Sequence, residues 1–262
     1  MRPLTGAPAS SAWRASAQWT SDACFCYVHP NVKPNIRLAA TVAPGGVEVA
    51  LYQHDADFII TADRQDLMLS RAHESELELA RLGCARLAGQ RNPAVLISGL
   101  GMGYTLRQTL DMLRHQATVV VAELLPEVVR WNRDYLGGLN NHPLRDRRVV
   151  VRIGDVADVI RQSPDTFDAV LLDVDNGPSA MTDVRNDRLY SREGIRSCAN
   201  SLRAGGCLAV WSALDDPPFG RRLRQEHLHV RSFRVSAYRG ARSRHCCIWI
   251  ATRGGPISGP DL

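Results

Sequence analysis

The sequence predicts an α/β protein with a mostly parallel, doubly wound β-sheet, and three features of the 262-residue chain support this fold class. Short apolar runs alternate with helical segments through the centre of the chain, as they do when helices join parallel strands. The first of these runs ends in a glycine-rich turn. The last two apolar segments are joined by a short turn alone, which predicts a final antiparallel hairpin.

Five apolar runs are predicted strands of this sheet: residues 94–100, 117–124, 148–153, 167–174 and 207–213. Helical patterns between them cover residues 104–114, 126–136, 156–162 and 187–203. Near-continuous apolar runs are typical of strands that are buried on both faces. The segments LHVRSFRVSAY and RHCCIWIATR, joined by RGARS, form the final hairpin and bring the expected strand number to seven.

The residues before these strands and helices show a different sequence pattern. The stretch VEVALYQHDADFIITADRQDLMLS alternates apolar and polar residues around a turn at residues 54–57, which predicts an antiparallel hairpin or three-stranded sheet. A helical spacing of apolar residues follows over residues 73–89, and a glycine ends it. Residues 1–45 are rich in Ala, Ser and Pro and lack sustained periodicity, so we expect a disordered or loosely packed leader.

These patterns predict four parts of the chain. They are the leader (1–45), a small N-terminal β-hairpin domain with a linking helix (46–90), a doubly wound α/β domain (91–253) and a loose tail (254–262). An open parallel sheet binds its ligands beyond the carboxyl ends of its strands. The functional residues are therefore expected where the predicted strands of the third part end.

Composition excludes several classes of function. The net charge of +5 comes almost wholly from arginine, since Lys33 is the single lysine, whereas nucleic-acid-binding faces normally mix both cations. The seven cysteines form no CxxC pair, which argues against a disulfide framework or a zinc site and for a reducing compartment. No apolar run approaches the length of a membrane span, and the N-terminus lacks a signal pattern. We therefore expect a cytoplasmic protein with no metal, nucleic-acid or membrane partner.

The stretch VLISGLGMGYTLRQ places Gly99, Gly101 and Gly103 between the first strand and a helix. Glycines at this position let the backbone approach a nucleotide-like ligand closely. The dinucleotide fingerprint has its third glycine one position later, where Tyr104 stands, and no Gly-Lys-Ser/Thr follows as in a P-loop. A tight strand-to-helix turn without a ligand remains the alternative for the loop taken alone.

Acidic residues follow the next two strands. Glu123 comes about 20 residues after the glycine loop, where an acid accepts the ribose hydroxyls in dinucleotide and S-adenosylmethionine (AdoMet) sites alike. Asp155 follows the third strand, where its carboxylate can accept the exocyclic amine of adenine. It can equally cap the helix that begins there, and the two roles are compatible. Leu124 and Val156, beside these acids, complete the predicted nucleoside site.

The fourth strand ends in AVLLDVDNGP, which brings Asp173, Asp175 and Asn176 together. Two carboxylates this close repel each other unless a cation or a shared proton lies between them. The arrangement suits a site that receives an amine and helps to remove its proton. A polar turn that caps the next segment is the alternative.

With these strand ends aligned, the chain resembles the spermidine synthase-like branch of the class I AdoMet-dependent transferases. The resemblance covers residues 46–253 and lies in the N-terminal hairpin and in VLISGLGMGYTLRQ, VVVAELLPEVVRWNRDYL, PLRDRRVVVRIGDV, FDAVLLDVDNGP and NDRLYSREGIRSCANSLRAGGCLAVWSA. It implies a Rossmann-like class I methyltransferase fold with a small N-terminal β-hairpin domain, assembled as a homodimer. It also implies that Glu123 holds the ribose, that Asp155 holds the adenine and that Asp173 accepts the proton of the attacking amine.

The chain departs from this branch at three places. Met102 stands where polyamine aminopropyltransferases carry an aspartate in the glycine loop. Their Tyr-His-Glu stretch is replaced by LSRAHESE, which keeps His73 and Glu74 without the tyrosine, and their acidic loop has become DVDNGP. Both AdoMet and decarboxylated AdoMet therefore remain candidate donors, with S-adenosylhomocysteine or methylthioadenosine as the product.

The leading hypothesis is aminopropyl transfer from a sulfonium nucleoside to an amine by in-line SN2 displacement, for which the protein mainly supplies alignment. Asp173, with Asp175, would bind the acceptor and take its proton. Methyl transfer from AdoMet to a small molecule is the second hypothesis, and a non-catalytic nucleoside-binding protein is the third. NAD-dependent oxidoreduction is disfavoured by Tyr104 and by the two-strand ending.

Four further residues are candidates for the acceptor pocket. Tyr190 and Trp211 would form its wall, although each is equally well explained as core packing. His73 and Glu74 would reach the site from the N-terminal hairpin domain, with capping of the helix as the alternative role.

Overall fold

A computed structural model of the chain describes residues 34–174, 188–236 and 245–255. These residues contain two β-sheets, a four-stranded N-terminal sheet and a seven-stranded main sheet. The N-terminal sheet has the order β1-β2-β3-β4 and consists of β1 (Ile36–Val42), β2 (Glu48–His54), β3 (Asp57–Ala62) and β4 (Gln65–Leu69), all antiparallel.

Strand β1 corrects one prediction, because it lies within residues 1–45, which were expected to be a loose leader. It pairs with β2 along its length, from Ile36 opposite Gln53 to Val42 opposite Glu48. It is an edge strand, in which Ile36 is 60% and Val42 is 64% exposed. Because its apolar residues are not all on a buried face, its sequence shows only a weak alternation of apolar and polar residues. The prediction for residues 1–33 lies outside the described residues.

The main sheet has the order β10-β11-β9-β8-β5-β6-β7. Its strands are β5 (Ala94–Ser98), β6 (Thr118–Glu123), β7 (Val149–Ile153), β8 (Phe167–Leu172), β9 (Leu202–Ser212), β10 (His229–Ser236) and β11 (His245–Thr252). Strands β5 to β9 are parallel, whereas β11 runs antiparallel to both β9 and β10. The predicted seven-stranded, mostly parallel sheet with a final antiparallel hairpin is therefore confirmed.

The α-helices that lie wholly within the described residues are α1 (Glu74–Cys84), α2 (Tyr104–Met112), α3 (Pro126–Trp131), α4 (Val156–Arg161), α5 (Arg192–Ser201) and α6 (Pro217–Gln225). Beyond α3 the chain tightens into a π-helical turn (Asn132–Leu136) and two 3-10 turns (Gly137–Asn140 and Pro143–Arg145). None of the described helices combines the length and the apolar character that crossing a membrane would require. The five cysteines of these residues are free and buried.

Alternate residues of the central strands pack into two hydrophobic layers, one on each face of the main sheet. Val95 and Ile97 face the layer that contains α1, α2 and the N-terminal sheet. Leu96 faces the opposite layer, which contains α4, α5 and α6. Helix α1 lies directly on the sheet at Gly83, where an added Cβ would come 2.3 Å from Leu171 Cδ2. This contact positions the first turn of α1 near the carboxyl ends of the strands.

An ion pair anchors the end of α2 to the start of β7. Arg148 donates to both carboxylate oxygens of Asp146, at 2.9 and 2.7 Å, and its Nη1 donates to the carbonyl oxygens of Leu110 and Leu113 at 2.9 and 2.7 Å. Hydrogen bonding from Arg148 lowers the pKa of Asp146 from its ordinary value of 3.8 to about 2.

We expect Asp146→Asn to lower the free energy of unfolding by about 1 kcal/mol at neutral pH, since the pair remains partly accessible to solvent. Because the folded-state pKa is depressed, this stability is present above about pH 4 and is lost as the pH falls towards 2. Urea unfolding at a series of pH values checks it, with the exposed Asp134→Asn as control. A difference from the wild type that stays constant down to pH 2 would contradict the assignment.

Candidate active site

The glycine loop joins β5 to α2 in a left-handed backbone conformation. Gly99, Gly101 and Gly103 have φ angles of 76°, 51° and 85°, which side chains other than glycine rarely adopt. Two buried amides hold the loop from behind, because Asn132 Nδ2 donates to Gly101 O and Asn140 Nδ2 donates to Met102 O, both at 2.8 Å. The loop is therefore a turn that two buried side-chain amides hold in place.

Glu123, at the end of β6, is bound to the glycine loop. Its Oε2 accepts from the Leu100 backbone amide at 2.7 Å and its Oε1 accepts from the Leu125 amide at 2.9 Å. Burial raises the pKa of this carboxyl group, and the backbone amides oppose that shift. Each carboxylate oxygen has further acceptor capacity, so the group can also accept from a ligand. Leu124 beside it is 41% exposed.

The structure confirms the predicted role of Asp155 as the N-cap of α4. Its Oδ1 accepts from the Ala157 backbone amide at 2.8 Å at the start of α4. The residue is exposed, and Val156 after it is buried. Contact of Asp155 with an adenine ring stays a prediction.

Asp173 follows β8 and contacts the glycine loop and the start of α2. Its backbone amide donates to Ser98 Oγ at 2.9 Å, and its Oδ2 accepts from Thr105 Oγ1 at 2.9 Å. A Cβ added at Gly99 would lie 3.2 Å from its carbonyl oxygen. Burial raises the pKa of the carboxyl group to about 6, and the Thr105 hydrogen bond opposes this shift. The carboxylate of Asp173 is therefore a stronger base than that of an ordinary aspartate.

Glu76, on α1, is a second acid at this place, and the sequence reasoning missed it. Its Oε2 accepts from Ser75 Oγ at 2.6 Å. Burial, and then the charge of Asp173, raise its pKa to about 7. The sequence could have indicated that Glu76 faces the interior. It lies three and four residues before the buried Leu79 and Ala80 and therefore shares their helix face.

His73 and Tyr104 join the start of α1 to the start of α2. Their rings stack with centroids 4.1 Å apart and an angle of 8° between the planes. Both bind the same carbonyl, since His73 Nδ1 lies 2.6 Å and Tyr104 Oη 2.9 Å from Ser70 O. A carbonyl oxygen can only accept, so Nδ1 carries a proton. His73 therefore does not cap α1 with its side chain, and Glu74 is half-buried in the first turn of that helix.

The two aromatic candidates differ in their burial. Tyr190 is 4% exposed and meets the Phe219 ring edge-on at 5.8 Å, and its hydroxyl donates to Val174 O at 3.3 Å. It is a core residue that supports the backbone next to Asp173. Trp211 is half-buried near the end of β9. The other two predicted residues of this region, Asp175 and Asn176, lie outside the described residues. Within the described ranges, no group of three metal-ligating side chains occurs.

A family model for the spermine/spermidine synthase domain matches residues 81–218, which is more than half of the chain. The chain belongs to the spermine/spermidine synthase family. The matched region contains the glycine loop, Glu123, Asp155 and Asp173. Glu76 and His73 precede it.

Two curated relatives are polyamine aminopropyltransferases of Synechococcus. That of Synechococcus sp. (strain JA-2-3B'a(2-13)) is 27% identical over 167 residues, which cover 62% of this chain and 49% of the relative. That of Synechococcus sp. (strain JA-3-3Ab) is 30% identical over 127 residues, which cover 47% of this chain and 38% of the relative. The matches thus span half or less of the length of these relatives.

Solved structures share the fold of this spermine/spermidine synthase family member. Spermidine synthase from Thermotoga maritima aligns with a TM-score of 0.62 at 18% identity, over 85% of this chain and 74% of that one. A probable spermidine synthase from Corynebacterium glutamicum ATCC 13032 aligns with a TM-score of 0.60 at 18% identity, over 88% and 84%. The same fold occurs in a spermidine synthase solved with the transition state analogue AdoDATO, with a TM-score of 0.62.

Met102 is the main departure of this family member, and the structure explains how the loop tolerates it. Its side chain is 1% exposed and packs in the hydrophobic layer around α1 and α2. The methionine side chain therefore points into the core, and a contact with a nucleoside is left to its backbone. Above the loop, Met68 of β4 comes within 2.8 Å of the position that a Gly101 Cβ would occupy.

Proposed function

We propose that this protein transfers an aminopropyl group from decarboxylated AdoMet to a small amine acceptor. The observation that carries the proposal is the position of Asp173, a desolvated acid held by Thr105 beside the glycine loop. Membership of the spermine/spermidine synthase family supports it. Assembly as a homodimer, cytoplasmic location and the division into domains remain predictions.

The residues present suit a thioadenosine nucleoside. The left-handed glycines carry no side chains of their own, and Glu123 ends β6 with spare acceptor capacity beside that loop. The sulfonium of the donor, when bound, supplies the activation of the carbon that is attacked. The chain then has to align the acceptor nitrogen with the carbon–sulfur bond and exclude water.

Proton transfer is the chemical task of Asp173. An amine is nucleophilic only when it is neutral, and the nitrogen becomes positively charged as the carbon–nitrogen bond forms and the carbon–sulfur bond breaks. A carboxylate whose pKa is raised to about 6 is a base of suitable strength for that proton near neutral pH. Asp175 remains a proposed second acid of this step.

We expect Glu123→Gln to weaken methylthioadenosine binding by roughly 10- to 100-fold, the value of a lost hydrogen bond to a charged group. The amide would also set a donor against the backbone amide of Leu100 or Leu125. Isothermal titration calorimetry measures the effect. Glu127→Gln, which removes an acid paired with Arg130 at the start of α3, is the matched control. If Glu123→Gln and the wild type bind methylthioadenosine with equal affinity, Glu123 does not bind the ribose.

Methyl transfer from AdoMet is the second candidate, and burial of Met102 favours it, because the glycine loop presents no acid to a donor amine. Calorimetry with AdoMet, decarboxylated AdoMet, methylthioadenosine and NAD ranks the donors. Mass spectrometry of amine pools incubated with each donor then identifies the group transferred. An amine that gains the mass of one aminopropyl unit supports the proposal. An amine that gains the mass of one methyl group shows methyl transfer instead. Tight NAD binding without thioadenosine binding would refute both.

A further inference from the structure

Helix α1 brings the Glu76 carboxyl group to the site from outside the region that the family model matches. Two contacts locate it. His73, which directly precedes α1 and lies three residues before Glu76, stacks on Tyr104 at 4.1 Å. Thr105, next to Tyr104, donates to Asp173 at 2.9 Å. Helix α1 and the end of β8 are thus joined through the start of α2, and Glu76 lies on the side of α1 that faces this junction.

Among the described residues, the groups of other elements whose charges interact with Glu76 are acidic or neutral. The charge of Asp173, at the end of β8, raises the pKa of Glu76. The charge of Glu76 in turn raises the pKa values of Tyr104 on α2 and of the Cys246 thiol on β11. Asp57 of β3 also raises the pKa of Tyr104. Among the ion pairs formed within the described residues, none includes Glu76 or Asp173. Two interacting carboxyl groups without a cation are a costly arrangement, and a bound ammonium group would relieve it.

We propose that Glu76 is a specificity-determining residue of this site, whose carboxylate binds the protonated amine of the acceptor together with Asp173 and disfavours molecules carrying a carboxylate there. The inference rests on the proposed function. Glu76 binds charge, and Asp173 takes the proton.

A matched control exists on the same helix. Glu78 lies two residues further along α1 and pairs with Arg81 at 3.1 Å on its accessible side. Glu78→Gln therefore changes the net charge and the helix as Glu76→Gln does, without altering the site. Glu76→Asp keeps the charge on a shorter side chain and should restore part of any lost function.

The test compares putrescine with ornithine, which has the same amine spacing and an added carboxylate, using decarboxylated AdoMet as donor. In Glu76→Gln we expect the KM for putrescine to rise roughly 10- to 100-fold with a smaller change in kcat. The preference for putrescine over ornithine should fall at least about tenfold. The acidic limb of the pH profile of kcat/KM should move to lower pH, because the Glu76 carboxyl group, whose pKa is raised to about 7, no longer titrates and that of Asp173, at about 6, remains. A purely structural role would not move that limb.

Calorimetric binding of putrescine in the presence of methylthioadenosine separates this inference from the proposed function. If the wild type transfers the aminopropyl group and Glu76→Gln keeps its KM and its preference, the role of Glu76 is wrong and the function stands. If putrescine binds in a Glu76-dependent way without transfer, the role of Glu76 stands and the function is wrong. A wild type that binds no putrescine refutes the inference.

Discussion

Asp173→Asn should lower kcat for aminopropyl transfer by roughly 10²- to 10⁴-fold, the usual contribution of a general base. The asparagine keeps the shape of the side chain and can still accept from Thr105 Oγ1, which lies 2.9 Å from Asp173 Oδ2. It cannot take a proton from the attacking amine. Because the substitution removes a desolvated carboxyl group, we expect the fold to be retained.

Rates of methylthioadenosine release, followed by chromatography, give kcat, and calorimetry with the same nucleoside shows whether the site remains intact. Product affinity should stay within a few-fold of the wild type. Asp158→Asn, which removes an exposed acid paired with Arg161 on α4, serves as control. Turnover within tenfold of the wild type would rule out proton transfer to Asp173 as a needed step.

Phe219→Ala should lower the free energy of unfolding by about 3–5 kcal/mol, the range for removing a buried aromatic ring. Phe219 is 1% exposed on α6 and meets the rings of Tyr190 and Trp249 edge-on, at 5.8 and 6.0 Å. The cavity left by the missing ring would allow Tyr190 to move. The hydroxyl of Tyr190 donates to Val174 O, next to Asp173. Loss of stability and loosening of the site are therefore expected together.

Thermal unfolding measures this effect, with an expected fall in Tm of roughly 6–20 °C. The matched control is Leu214→Ala, because Leu214 is 66% exposed and its truncation should change stability by less than about 0.5 kcal/mol. Similar melting temperatures for Phe219→Ala and Leu214→Ala would show that this aromatic cluster contributes little to the fold.

The sequence predicted the main sheet well because its central strands are buried on both faces. Val119, Val120 and Val121 are all buried in β6, and such runs have few alternatives to a parallel sheet strand. Strand β1 was missed for the opposite reason. Its edge position leaves much of its apolar surface exposed, so its pattern carries little information before the pairing with β2 is known.

What the sequence by itself determined is the set of strand ends at which chemistry occurs. The order of strands and helices places Gly99, Glu123 and Asp173 at the carboxyl edge of one sheet, because parallel strands end on the same side. That inference needs no knowledge of side-chain direction. It led to the family before any contact was known.

Only the tertiary structure decided which side chains face one another at that edge. Met102 looked like a lost site residue, yet the left-handed turns of the loop direct it into the core. Glu76 looked like one helix glutamate among several, yet the docking of α1 against β8 brings it beside Asp173. The direction of a side chain in a packed loop, and the docking of a distant helix, depend on close packing between parts of the chain that are far apart in sequence.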